Sequence, residues 1–316
     1  MKAVFLDFDT VSAKDLDTET LARSVEELEL HPIDESRVAD MLINADVALL
    51  NKVKLTRPLL AGANKLKLVA LAATGTDNVD LVAAQELGIA VCNVRAYCTA
   101  SVVQHVWGLI LSLNQHVLAY ARMTSNGTWT RDESGTVLSH PIRELHGRTF
   151  GVVGYGELGR GTARVASAFG MNVLIANRPA AAPVPGRVAL QQLLAESDIV
   201  SLHCPLTAAT RGLIGAAEIK LMKNDALLIN TARGGLIDGA ALAAALRERR
   251  LGGAGLDVLA REPPPIDDPL LDPEIPNLLV TPHVAWAARE ARQRCIDEMA
   301  ANVRDFRSGG RRGRVV

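Results

Sequence analysis

The chain has 316 residues, of which 48% are hydrophobic and only 3% aromatic, and its formal net charge is −1. That length is sufficient for one or two domains with substantial cores. The near-neutral charge and the scarcity of aromatic residues argue against nucleic acid or a membrane surface as a partner. The longest apolar runs, such as residues 66–73, are too short to span a bilayer.

The cysteines and the first residues of the chain indicate in which cellular compartment the protein is expected. The four cysteines lie apart, without the CxxC spacing of a metal or redox site. The opening stretch "MKAVFLDFDT" places an acidic residue where a signal peptide needs a continuous apolar run. We therefore expect reduced thiols, no bound metal and a cytoplasmic protein.

The first third of the chain alternates short apolar strands with helical stretches. The predicted strands are "AVFLDF", "DVALLN", "LKLVALAA" and "IAVCNV". The predicted helices are "TETLARSVEEL", "DESRVADML" and "NVDLVAAQELG", the last of which ends at Gly88. A long helix is expected to follow over residues 100–122, and Thr99 and Ser101 can cap its start.

A second α/β series follows an irregular segment, "TSNGTWTRDESGTVLSHPIREL", which is rich in polar residues and glycine. Six apolar strands are predicted after it: "TFGVVGYG", "MNVLIAN", "DIVSLHC", "ALLIN", "AGLDV" and "LLVTPH". Alternation of this kind predicts a doubly wound parallel sheet. A final amphipathic helix, "WAAREARQRCIDEMAANVRDF", precedes a basic tail that is expected to be solvated.

A glycine pattern lies between the first two of these six strands. Gly154, Gly156 and Gly159 form G-x-G-x-x-G directly after "TFGVV" and at the start of a helical pattern. In a dinucleotide-binding βαβ unit these glycines permit a tight turn, a close approach to the pyrophosphate and close packing of helix on strand. Because the whole unit is present, the pattern predicts a dinucleotide site rather than an ordinary glycine-rich turn.

The residues at the end of the second of these strands indicate whether the chain prefers NAD(H) or NADP(H). An acidic residue there would hold the ribose hydroxyls and repel a 2′-phosphate, but this chain has Asn177 and Arg178. A guanidinium is suited to phosphate. We therefore expect NAD(P)H with a preference for NADPH, although Arg178 could equally be an ordinary surface arginine.

Three later strands are each followed by a charged or titratable residue that could bind a carboxylate or exchange a proton. Arg233 follows "ALLIN", Glu262 follows "AGLDV", and His283 follows "LLV". Ligands of open α/β sheets bind beyond the carboxyl ends of the strands. An arginine there could clamp a carboxylate, and a histidine oriented by a carboxylate could exchange a proton.

With the segments "TARGGLID", "LDV…REPP" and "TPH", the chain resembles the D-isomer-specific 2-hydroxyacid dehydrogenases along essentially its whole length. The segments "LLNKV" and "YCTASVVQH" are similar to the glycerate dehydrogenase/hydroxypyruvate reductase branch. The resemblance implies a Rossmann-type cofactor domain inserted in a flavodoxin-like substrate domain. Residues 1–98 and 285–316 would form the substrate domain, and residues 99–284 would form the cofactor domain with a dimerisation arm over about 120–147.

The resemblance also implies roles for individual residues. His283 would be the general acid of the reduction, Glu262 would hold it and favour its imidazolium form, and Arg233 would bind the substrate carboxylate. The remaining expected substrate contacts are Asn51, the backbone at Thr74 and Gly75, and Trp286. The expected cofactor contacts are Thr99, Gly154, Gly156, Glu157, Leu158, Gly159, Asn177, Arg178, Cys204, Pro205, Thr210, Thr231, Ala232 and Asp257. The other histidines, including His105, His116 and His203, are given no chemical role.

The implied reaction is hydride transfer between NAD(P)H and a small 2-oxo acid, which yields a D-2-hydroxy acid. Hydroxypyruvate and glyoxylate are the expected substrates, and D-lactate/pyruvate and phosphite are the alternatives. A homodimer is expected through the arm. A dinucleotide-sensing scaffold or corepressor-like binding protein on the same fold is the alternative from another functional class.

Overall fold

The computed structural model describes residues 1–178 and 182–316. The chain divides into two compact units, one formed by residues 1–98 with 286–316 and the other by residues 99–285. Each unit contains its own parallel sheet with helices packed on it. In the described ranges, no helix is long and apolar enough to cross a membrane.

The first unit contains a five-stranded parallel sheet in the order β2-β1-β3-β4-β5. This is the flavodoxin-like order, with the chain reversing direction beside β1. Its strands are β1 (Lys2–Phe5), β2 (Glu27–Leu30), β3 (Val47–Leu50), β4 (Leu68–Leu71) and β5 (Ala90–Cys92). The helices between them are α1 (Glu19–Ala22), α2 (Val38–Leu42), α3 (Arg57–Gly62) and α4 (Leu81–Glu86).

Strand β2 corrects the sequence prediction, which placed a helix over "TETLARSVEEL". Only α1 is helical there, and Glu27 pairs with Lys2 of β1 in parallel register. The Lys2 ammonium lies 3.0 Å from the Glu27 carboxylate and 2.5 Å from that of Glu29. The acidic residues that favour a helix locally are therefore used as partners of β1, so tertiary pairing overrides local propensity.

The basic tail is also a correction, because it is not simply solvated. Arg314 forms an antiparallel bridge with Cys92, and the Val315 N–H donates to the Val91 carbonyl at 2.7 Å. The tail thereby covers the edge of β5, which would otherwise present unpaired backbone groups.

The second unit contains a six-stranded parallel sheet in the order β11-β10-β9-β8-β6-β7, which confirms the six predicted strands and the doubly wound fold. The strands are β6 (Thr149–Val153), β7 (Asn172–Ile175), β8 (Ile199–Leu202), β9 (Leu227–Asn230), β10 (Gly253–Leu256) and β11 (Leu278–Val280). The helices before β11 are α5 (Thr99–Asn114), α6 (Val117–Ser125), α7 (Glu157–Ala168), α8 (Leu190–Glu196), α9 (Ala216–Leu221) and α10 (Gly239–Arg247). Helix α11 (Arg289–Arg307) returns to the first unit.

The long helix predicted over residues 100–122 is in fact two helices. Helix α5 ends at Asn114, and α6 begins after His116, whose φ of 48° lies in the left-handed region. The Asn114 side chain donates to the Arg143 carbonyl at 2.6 Å, and the His116 ring stacks on that of His140. These contacts with the irregular segment favour a break that local helix propensity does not reveal.

Candidate active site

The glycine turn joins β6 to α7 at the point where the strand order reverses. Gly154 has a φ of 99°, and a Cβ on it would lie 2.5 Å from the Cys204 backbone nitrogen. A Cβ on Gly159 would lie 2.1 Å from the Gly154 carbonyl oxygen. Both glycines are therefore required by the packing of the fold itself, the first also by its left-handed backbone.

Gly156 differs from its two neighbours, because a Cβ on it would meet no atom within 4 Å. Gly156 is exposed at the N-cap of α7, where the first N–H groups of a helix have no partner within the helix. Such an open, positively polarised cradle fits a pyrophosphate. At another strand end of this unit, the hydroxyl oxygen of Thr231 is buried without a protein partner, which suits a residue that contacts a ligand.

At the end of β7, Asn177 and Arg178 occupy the predicted ribose position. The Asn177 side-chain oxygen accepts from the Val184 N–H at 3.0 Å, so it is already used to hold the following loop. Arg178 is exposed. Residues 179–181 lie outside the described residues.

Cys204, Pro205 and Thr210 form a turn after β8. Thr210 is buried, and its hydroxyl donates to the Pro205 carbonyl at 2.7 Å and accepts from the Thr207 N–H at 2.8 Å. Thr210 therefore fixes the shape of the turn through hydrogen bonds within the protein. Burial raises the pKa of the Cys204 thiol, which keeps it uncharged and unsuited to act as a nucleophile.

Thr99, Glu157 and Leu158 are brought together by the starts of α5 and α7. The Thr99 hydroxyl hydrogen-bonds to the carboxylate of Glu157, the first residue of α7. Leu158 follows it in the first helical turn and is partly buried. The three predicted cofactor contacts thus share one edge of the sheet with the glycine turn.

Arg233 is held in a tight turn after β9. The fully buried Asn230 accepts from the Ala232 N–H at 3.0 Å and donates to the Arg233 carbonyl at 2.9 Å. The Arg233 guanidinium donates to the Ala232 carbonyl at 2.8 Å. A Cβ on Gly234 would lie 1.9 Å from the Leu259 carbonyl carbon, so this glycine lets the arginine turn pack on the segment after β10.

His283 and Glu262 form a directly hydrogen-bonded pair. Nδ1 of His283 lies 2.5 Å from Oε2 of Glu262, and Oε1 of the same carboxylate accepts from the Leu259 N–H at 3.1 Å. Because the carboxylate accepts the Nδ1 proton, the proton that can be exchanged is the one on Nε2. The two side chains are 29% and 34% exposed, so the pair is accessible to a small molecule.

Asp257 directly follows β10, and its carboxylate is completely buried. Its Oδ1 accepts from the Val284 N–H at 2.9 Å and from the Thr281 hydroxyl at 2.6 Å, and its Oδ2 accepts from the Ala285 N–H at 2.7 Å. Asp257 therefore holds the loop that carries His283. Its expected contact with the nicotinamide amide remains a prediction.

In the first unit, the predicted substrate residue Asn51 lies on a loop organised by Asp7. The buried Asp7 carboxylate accepts from the N–H groups of Asn51 at 2.9 Å, Lys52 at 2.5 Å and Val53 at 2.8 Å. Burial raises the pKa of Asp7, and these three donors act in the opposite direction. The Asn51 amide donates to the Thr10 hydroxyl at 2.9 Å, so its role as a substrate contact stays a prediction.

The other predicted substrate elements of the first unit are the Thr74–Gly75 loop and Trp286. The Thr74 hydroxyl donates to the Val94 carbonyl at 2.8 Å, and the Asn93 amide donates to the Thr74 carbonyl at 2.7 Å. The side chain and the backbone carbonyl of the exposed Thr74 are thereby both held in place. Trp286 packs edge-to-face on Tyr97, with ring centroids 6.5 Å apart.

Several residues that shape the site were not predicted from the sequence. Asn230 and Thr281 lie within quoted segments, but only the fold shows what their side chains hold. The sequence assigns no role to His105 on its helix, but in the structure its Nε2 lies 2.9 Å from the Thr281 hydroxyl. Across residues 1–178 and 182–316, no group of three or more His, Cys, Asp or Glu side chains could hold a metal ion.

Comparison with known proteins identifies the family. Residues 107–285 match the model of the D-isomer specific 2-hydroxyacid dehydrogenase NAD binding domain. The chain is 42% identical to the glycerate dehydrogenase of Methylorubrum extorquens, with 93% of this chain and 95% of that protein covered. It is 34% identical to the hydroxypyruvate reductase of Blautia hydrogenotrophica, with 98% of each chain covered.

The chain belongs to the D-isomer specific 2-hydroxyacid dehydrogenase family. It is therefore an oxidoreductase that acts on CH–OH donors with a nicotinamide dinucleotide, and its substrate is a small 2-hydroxy or 2-oxo acid. A solved acyclic imino acid reductase in complex with NADPH and D-Arg has the same fold, with a TM-score of 0.88, 28% identity and 100% of both chains covered.

Proposed function

We propose that this dehydrogenase is a hydroxypyruvate/glyoxylate reductase, equivalent in the reverse direction to a D-glycerate dehydrogenase. The observation that carries the proposal is the His283–Glu262 hydrogen bond at 2.5 Å, at the same sheet edge as the Arg233 turn. The two relatives described above, a glycerate dehydrogenase and a hydroxypyruvate reductase, support this choice of substrate.

Different residues of the chain would bind the substrate, transfer the proton and orient the imidazole. Arg233 offers a fixed guanidinium for the substrate carboxylate, and its bidentate geometry would align the 2-oxo group. His283 would donate its Nε2 proton to the C2 oxygen in reduction and accept it in oxidation. Glu262 would orient the ring and stabilise its charged form. Asn51, the Thr74–Gly75 backbone and Trp286 remain the proposed determinants of substrate size.

The cofactor would lie on the turn formed by Gly154, Gly156 and Gly159, with its pyrophosphate at the start of α7. When bound, the dinucleotide supplies or accepts the hydride. We propose a preference for NADPH, because Asn177 brings no negative charge and its oxygen is occupied by Val184, whereas Arg178 is exposed and charged. The other proposed contacts line the same edge: Thr99, Glu157, Leu158, Cys204, Pro205, Thr210, Thr231, Ala232 and Asp257.

A substrate panel tests the function directly. Hydroxypyruvate, glyoxylate and pyruvate would be assayed with NADPH and NADH by absorbance at 340 nm, and D-glycerate, D-lactate and phosphite with the oxidised cofactors. Hydroxypyruvate or glyoxylate should give the highest kcat/KM. A higher value for pyruvate, D-lactate or phosphite would replace the proposed substrate, and cofactor binding without any turnover would favour the scaffold alternative.

The catalytic assignment has its own test. His283→Ala should lower kcat by about a thousandfold, the scale of a general acid's contribution, while the cofactor Kd stays within about twofold. His31→Ala, in the first unit, is the matched control and should retain activity. Activity retained in His283→Ala would reject the proton donor.

We also propose a homodimer formed through the arm. Large apolar side chains are exposed within the arm and just before it, as suits a protein interface: Trp129, Leu138 and Ile142 in the arm, and Val117 and Leu118 before it. Light scattering coupled to gel filtration should give twice the chain mass of 33.7 kDa, and Leu138→Asp should shift it towards the monomer. A monomeric wild type would contradict this proposal.

The cytoplasm is the proposed compartment, with neither nucleic acid nor membrane as a partner. All four cysteines are free thiols, and three of them are buried, as suits a reducing compartment. Cell fractionation with an antibody to the chain tests the location, and recovery in an extracellular or membrane fraction would contradict it.

A further inference from the structure

The loop that carries His283 is held in an unfavourable backbone conformation. His283 has a φ of 55°, in the left-handed region that residues with a side chain rarely adopt. Such a conformation persists only where its surroundings determine it by several contacts. The position of the imidazole therefore depends on what holds residues 281–285.

Helix α5 supplies two side chains that hold this loop, one turn apart on the same face of the helix. The Ser101 hydroxyl donates to the Ala285 carbonyl at 2.6 Å. His105 lies four residues further on, and its Nε2 is 2.9 Å from the Thr281 hydroxyl oxygen and 3.5 Å from Oδ1 of Asp257.

The direction of these hydrogen bonds follows from the available protons. Asp257 Oδ1 accepts the single hydroxyl proton of Thr281 at 2.6 Å, so the Thr281 oxygen can only accept from His105. His105 must then carry a proton on Nε2. The order of donation is His105 to Thr281 to Asp257, and Asp257 in turn binds the N–H groups of Val284 and Ala285.

We propose that His105 is a positioning residue for the general acid and acts on His283 through Thr281 and Asp257. The proposal rests on the function proposed above, in which His283 exchanges the substrate proton. His105 is 23% exposed, and Asp257 is wholly buried. The imidazole therefore supplies a hydrogen-bond donor beside a carboxylate that has no access to water.

Displacement of His283 affects the transition state more than substrate binding, because proton donation depends on distances of a few tenths of an ångström. Loss of the Nε2 donor should therefore lower kcat and leave the KM for the 2-oxo acid and the Kd for the cofactor nearly unchanged. A histidine that only fills space would change the thermal stability instead.

Two polar side chains of different length at position 105 distinguish a positioning role for His105 from a space-filling one. The amide of a glutamine reaches the position of Nε2, whereas that of an asparagine reaches only the position of Nδ1. His105→Asn should lower kcat about tenfold, and His105→Gln should stay within about threefold of wild type. The matched control Gln104→Asn shortens the exposed neighbouring residue on α5 and should leave kcat unchanged.

A double-mutant cycle with Thr281→Val tests whether His105 acts on His283 through Thr281. If His105 acts through Thr281, the double variant with His105→Asn should lose no more activity than the more damaging single variant. Independent, multiplicative losses would overturn the proposal, as would equal kcat values for His105→Asn and His105→Gln.

One readout does not depend on turnover. The imidazole proton resonance of His283, identified by its absence in His283→Gln, should shift or broaden in His105→Asn and return in His105→Gln. An unchanged resonance in His105→Asn would overturn the inference. If wild type reduces no 2-oxo acid, the proposed function fails, and this spectrum still decides whether His105 positions His283.

Discussion

Gly156 and Gly159 belong to one sequence pattern, but the structure assigns them different physical roles. In Gly156→Ala the new methyl group meets nothing within 4 Å, and the backbone, at φ −81° and ψ −156°, accepts any residue. In Gly159→Ala the methyl group would lie 2.1 Å from the Gly154 carbonyl oxygen. The second variant must therefore move α7 away from β6 by about 1 Å, and we expect a loss of about 2–4 kcal/mol.

The two variants should separate cofactor binding from stability. Gly156→Ala should keep the wild-type melting temperature within about 1 °C and raise the Kd for NADPH about tenfold or more, because the methyl group would occupy the space proposed for the pyrophosphate. Gly159→Ala should melt roughly 5–10 °C lower. Nicotinamide fluorescence and differential scanning fluorimetry measure both quantities, and wild-type affinity in Gly156→Ala would refute the placement of the pyrophosphate.

Three further predictions follow from charge. Arg178→Ala should raise the Kd for NADPH about tenfold and that for NADH less than twofold, with Arg187→Ala as the control; equal effects on both cofactors would remove the reason for the NADPH preference. Burial lowers the pKa of His203 from 6.5 to about 4, so its contribution to stability is complete above pH 6.5 and is lost as the pH falls towards 4. Between pH 7 and pH 5, the free energy of unfolding in urea should fall by about 2 kcal/mol more in wild type than in His203→Gln. An identical pH dependence in the two proteins would contradict this prediction. The Arg292 guanidinium lowers the pKa of Asp15 to about 2, so Asp15→Asn should be less stable than wild type at pH 7, with the difference vanishing as the pH falls from about 4 through 2; a difference that persists at pH 2 would show another cause.

The sequence predicts the parts of this molecule that are encoded locally. The six strands of the second unit are apolar runs with clear boundaries, and residues that follow neighbouring strands must meet at one edge. The sequence therefore predicts Arg233, Glu262 and His283 at one edge of the sheet, and the hydrogen bond between Glu262 and His283 agrees with this for two of them.

What the sequence does not predict depends on partners distant in the chain. Strand β2 alternates charged and apolar residues, and only pairing with β1 makes it a strand. The break at His116 depends on contacts with residues 140–143. Asn230 and His105 gain their roles from hydrogen bonds whose geometry exists only in the folded unit.

The anchoring of residues 51–53 by Asp7 has a consequence for how this loop, which carries the proposed substrate residue Asn51, can vary in sequence. Among the described residues, the hydrogen bonds from this loop to Asp7 come from main-chain N–H groups, so the anchoring does not depend on which side chains the loop carries. Evolution can therefore exchange the exposed side chain at position 52 and leave the path of the chain intact. A saturation library at Lys52 should consist mostly of folded proteins, whereas one at Asp7 should not.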